Sequence, residues 1–172
     1  DNTGAALITA LEQLSSWVGQ WLNGDYTIDI RAYEMSLSVI RAGDGGALYR
    51  ALSMQQHALN QVNTLFDNET LVQQRVCPRG QSSTQAEILK NVVFKFWIQG
   101  LQRRSAALNR RYFALMPALQ ALEQQLAEGE PKAYFDWRQQ RDEQLEQFLA
   151  APKAHSLRIN TLYQQCDLAV GV

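Results

Sequence analysis

Apolar residues recur along this chain at spacings of three and four in nearly every segment. In "TGAALITALEQLSSWVGQWL", Leu7, Leu11, Leu14, Val18 and Trp21 fall on one stripe. Such a stripe marks an amphipathic helix with one face turned to a core. "NGDYT" ends it, with Gly24 suited to a left-handed C-cap and Thr27 to the next N-cap. A second helix carries Ile30, Tyr33, Leu37 and Ile40 inward. Gly43 closes it and Asp44 caps a third, whose inward positions are Leu48, Leu52, Leu59, Val62 and Phe66.

Periodicity weakens from about residue 67 to 83, apart from a short helical turn expected around Leu71 to Val76. "TQAE" then reads as a capping box, Thr84 with Glu87. The fourth helix it opens is very apolar, with Ile88, Val92, Phe96 and Leu101 inward. That helix continues towards Glu128, and Gly100 and Pro117 are the two places for a kink or break. "EGEP" stops it, and a fifth helix shows Tyr134, Trp137, Arg141, Leu145 and Phe148. "APKAHS" breaks the chain again, and a last helix packs Leu157, Leu162 and Cys166. No alternating strand pattern and no repeat of solenoid length appears. The expected fold is all-α, an antiparallel multi-helix bundle of about six helices with an irregular loop at about 67–83.

Length adds one bound. At 172 residues and 46% hydrophobic, residues 1–172 fit a single helical domain with its own core. The formal net charge of -1 gives the molecule no bulk attraction for nucleic acid or anionic lipid. The longest apolar run, "NVVFKFWIQGL", carries Lys95 and falls short of the roughly 18 residues of a transmembrane segment.

"CPRGQSST" gathers a cysteine, an arginine, a glycine and three hydroxyl side chains. A phosphatase cradle needs arginine six positions after the cysteine, where Ser83 stands. A P-loop needs lysine and Ser/Thr after its second glycine, and the hydrolase elbow Gly-x-Ser-x-Gly lacks its last glycine here. The stretch reads more simply as a turn shaped by Pro78 and Gly80. "AGDGGALYR" lacks the preceding strand that gives a glycine-rich phosphate turn its meaning. With only His57 and His155, and no Glu-x-x-His or His-x-x-x-His, no metal site or cofactor is expected.

Three features remain. Cys77 and Cys166 are an even pair, which one disulfide in an exported, periplasmic-type protein would use. Two buried thiols in a cytoplasmic protein would look the same. The opening "DNTGAAL" has no initiator methionine or leader, so either a signal segment has been removed or a piece has been excised. In "QRRSAALNRRYF", Arg103 and Arg104 recur two helical turns on as Arg110 and Arg111. That repeat is a candidate anion- or partner-binding stripe, or else a face neutralised by the acidic helix that follows. Trp17 flanks the apolar stripe of the first helix and is a candidate exposed aromatic contact.

Together these point to a non-enzymatic, exported bacterial helical protein that binds a macromolecular partner, most simply a protein. An accessory lipoprotein, an immunity or inhibitor protein, or a secretion-system component would fit. The alternatives are a periplasmic ligand-sensing domain and a cytosolic adaptor or chaperone-like bundle.

Overall fold

The first hydrophobic stripe forms helix α1, Thr3–Leu22, in a computed structural model that describes residues 3–68, 70 and 72–168. Helices α2, Ile30–Arg41, and α3, Asp44–Phe66, follow. After a π-helical turn at Val72–Val76 and a 3-10 turn at Pro78–Gly80 comes α4, Thr84–Val92. A π-helical segment, Val93–Leu101, carries α4 without interruption into α5, Gln102–Leu126. Helix α6 spans Lys132–Gln165. The protein is an all-α helical bundle, and no strand occurs among the described residues.

The chain divides into two compact units, Asp1–Ala51 with Leu108–Glu143, and Leu52–Ala107 with Gln144–Val172. In the first, Leu7, Leu11 and Ala118 form a buried cluster lined by Ile8, Val39, Ile40 and Leu115. The α1–α2 connection works as expected at Gly24, whose φ of +82° is left-handed. The next cap lies two residues beyond Thr27: Asp29 Oδ1 accepts from the backbone N–H groups of Arg31 and Ala32, at 2.9 and 3.1 Å. The face of α2 also differs from its apolar stripe. Ile30 and Leu37 are exposed and Ser36 is buried, because its hydroxyl donates to Gln13 Oε1 of α1 at 2.7 Å. Inside the same unit α5 and α6 fold back on each other across Ala127–Pro131, which brings Glu123 onto Arg141.

The second unit has the larger core, built on Leu59, Val72, Cys77, Ala86, Val93 and Trp97 against Ile159, Leu162, Tyr163 and Cys166. The irregular loop enters this core. Its π turn falls where a short helical turn was expected, although Leu71 itself lies outside the described residues. Ser83, one residue before the expected capping box, caps α4: its Oγ accepts from Ala86 N at 3.1 Å and donates to Val76 O at 2.5 Å.

Neither expected break in the long helices occurs. Gly100 sits within the π segment, where Gln102 N still donates to Trp97 O. Pro117 is exposed inside α5. Pro152 lies inside α6, so "APKAHS" is helix and not a stop. An interior proline costs about 3 kcal/mol or more. Here Leu145, Phe148 and Ala151 before it, and His155, Ile159 and Leu162 after it, are all buried. That packing holds both halves in one helix.

Candidate functional site

From Val92 to Ile98 six of seven residues are apolar, and one helix side can bury only part of such a run. The second unit's core takes Ala86, Val93 and Trp97, with Leu89 partly buried. The other stripe, Ile88, Val92 and Phe96, at spacings of four, is left outside with Phe94, Ile98 and Leu101. Ile88 and Phe96 are each 58% exposed. This corrects the inward placement of Ile88, Val92, Phe96 and Leu101. The π segment supplies Phe94, Phe96, Ile98 and Leu101 of this face, and π turns inside helices are frequent at functional positions. Lys95 Nζ lies 5.6 Å from the centre of the Phe96 ring, a cation over an aromatic face.

The same unit brings Cys77 and Cys166 to disulfide distance, with Cα atoms 5.1 Å apart and both side chains buried. His155 lies in this core. Its Nδ1 donates to Asn63 Oδ1 at 2.6 Å, Phe66 stacks on the imidazole, and the Trp97 ring meets it edge-on at 4.6 Å. Burial disfavours the imidazolium, and the nearby Arg158 charge adds to that, so the His155 pKa lies below its ordinary 6.5. The unfolded chain therefore takes up a proton below about pH 6.5 that the folded chain refuses. Stability is full above that value and falls as pH drops towards the depressed folded pKa. Thermal melts from about pH 7 down to 5 should show this loss, and His155→Gln should reduce its slope. An unchanged slope would remove His155 as the cause.

Beside this core Phe66, Asp67, Val72, Arg158, Thr161, Leu162 and Gln165 line a cleft of about 240 Å³. That is under the roughly 300 Å³ at which small-molecule pockets begin. Its cation is already answered, since Arg158 Nη2 lies 3.1 Å from Asp67 Oδ2.

In the first unit the strongest charge feature is buried. Arg141, 9% exposed by side chain, grips Glu123, 4% exposed, through two hydrogen bonds of 2.5 and 3.0 Å. Arg141 also donates from Nε to Asp142 Oδ1 at 2.8 Å. Burial opposes the guanidinium charge, but the hydrogen bonds to Glu123 and Asp142 outweigh it and hold the pKa above its ordinary value. Arg138 bonds Glu130 at 2.8 Å.

The four arginines of the repeat fall in different units. Arg103 and Arg104 are exposed in the second, while Arg110 and Arg111 belong to the first. Arg111 is not offered to a ligand: its Nη2 reaches both oxygens of Asp44 at 2.7 Å. Its partner is thus the first turn of α3, not the acidic helix. Arg103, Arg104 and Arg110 make no ion pair among the described residues. Trp17 is half-buried, and its ring and that of Trp21 meet Tyr33 of α2 edge-on at 5.7 and 6.0 Å. It is a packing residue of the α1–α2 hairpin.

A family model described as a protein of unknown function, DUF3080, matches residues 1–170. The chain belongs to that family. No curated protein and no solved structure matches it. In this DUF3080 member no helix is long and apolar enough to cross a membrane among the described residues. What sequence reading missed is the outward stripe of α4 and the partners Glu123 and Asn63. One signal could have marked the stripe. From Ile88 to Leu122 the chain has no Asp or Glu, while Lys90, Lys95, Arg103, Arg104, Arg110 and Arg111 all fall there.

Proposed function

We propose that this chain is a non-enzymatic, exported helical protein of bacterial type that works by binding, docking the outer face of α4 and its π segment onto a partner surface. The observation that carries it is the second apolar stripe, Ile88, Val92 and Phe96, which the protein's own core leaves outside while Ala86, Val93 and Trp97 are buried on the same helix. Contiguous exposed apolar surface on a folded protein marks an interaction site. Export is supported by Cys77 and Cys166 at disulfide distance, because disulfides persist in oxidising compartments. The cysteines and histidines are otherwise engaged: the two sulfurs face each other, His155 is held by Asn63, and His57 Nε2 pairs with Gln61 at 3.1 Å.

The test is a photo-crosslinking amino acid placed at Phe96 in producing cells, with Met54, an exposed apolar residue of α3 in the same unit, as the control. Position 96 should give adducts that position 54 does not.

A further inference from the structure

We infer, resting on the docking role of the α4–π face, that its partner is an anionic lipid surface. Between Ile88 and Ala107, the part of this rod inside the second unit, there is no carboxylate, and Lys90, Lys95, Arg103 and Arg104 supply four positive charges. Apolar and cationic groups alternate closely here. Val92, Phe94, Phe96 and Ile98 flank Lys95, whose ammonium lies over the Phe96 ring. A helix that presents Phe, Ile and Leu with Lys and Arg alongside is built to lie in the headgroup layer of a membrane. Its long cationic side chains reach phosphates while the rings sink among the acyl chains. No spanning segment is needed for this.

The net charge of -1 for the whole chain does not oppose such docking. Screening confines the interaction to groups within about 8–10 Å of the surface, so the charge of the face decides. A second copy of the chain is the poorer occupant, because face-to-face pairing sets Lys95, Arg103 and Arg104 against themselves. A protein partner would have to supply a groove that is both acidic and apolar, since the side chains here stand on the outside of a rod. A lipid surface offers both properties without further shaping.

The test is flotation of the intact chain with vesicles of phosphatidylcholine alone and of phosphatidylcholine mixed with phosphatidylglycerol. The chain should float with the phosphatidylglycerol vesicles at low salt, and high salt should release it. Each basic residue near such a surface is worth about a fivefold gain in binding, so Lys95→Gln with Arg103→Gln and Arg104→Gln should weaken it on the order of a hundredfold. Ile88→Ser with Val92→Ser and Phe96→Ser should abolish flotation, with the melting temperature of both variants unchanged because all six side chains are exposed. Absence of flotation by the unaltered chain at low salt would overturn the lipid assignment, as would binding that the glutamine variant leaves intact. If flotation fails while position 96 crosslinks to a protein in cells, the lipid is wrong and docking by this face stands. If both fail, the docking role falls with it.

Discussion

Arg141→Met should destabilise the protein by about 3–5 kcal/mol, the cost of leaving one charge of a buried pair alone. Glu123, on α5, is 5% exposed as a residue and accepts two hydrogen bonds from Arg141 of α6. Once the guanidinium is gone its carboxylate must stay buried without a countercharge, holding only the hydrogen bond from Tyr134 Oη at 3.1 Å, or take up a proton. Replacing both, Arg141→Met with Glu123→Met, removes the charge that needed an answer, and most of the loss should return. Urea unfolding of the two single variants and the double variant closes the cycle. A single-variant loss under about 1 kcal/mol, the range of surface pairs, would mean the pair is wet and the hairpin is held by packing alone.

Opening the Cys77–Cys166 pair should be comparably costly. The two positions are 89 apart in sequence, and closing a loop of that size restrains the unfolded chain by about 4–5 kcal/mol on the loop-entropy model. Unfolding midpoints with and without reductant measure it, and Cys77→Ala with Cys166→Ala should match the reduced protein. Intact-mass analysis after alkylation supplies the companion result: no alkyl group should add in denaturant until the protein is reduced. Two groups adding in denaturant alone would make the pair free thiols and withdraw the support for export.

The helices were legible because spacings of three and four run through almost every segment, and the caps at Gly24 and near Ser83 were legible from turn chemistry. The faces were harder. On α4 two stripes of equal regularity exist, Ile88–Val92–Phe96 and Ala86–Leu89–Val93–Trp97, and periodicity has no means of ranking them. The fold buries the stripe containing Ala86, where a small side chain lets the core approach the helix. Pro152 misled in the opposite direction, since a local breaker is overridden when buried residues flank it on one face. Partners across the fold, such as Glu123 for Arg141 and Asn63 for His155, are separated by 18 and 92 positions. No local pattern reaches that far. The disulfide pair was legible for a simpler reason: two cysteines allow only one intramolecular bond. The arginine repeat was legible as a pattern, but its division was not: Arg111 pairs with Asp44 in the first unit, while Arg103 and Arg104 stand exposed in the second.

The central claim is that the outer face of α4 and its π segment meets another surface in the cell. Photo-crosslinking from position 96 in producing cells addresses it most directly. Adducts should form from 96 and from 88, both on the outer stripe, and none from 54. Adducts from 54 as abundant as those from 96, or none from 96 in a chain that folds normally, would contradict it.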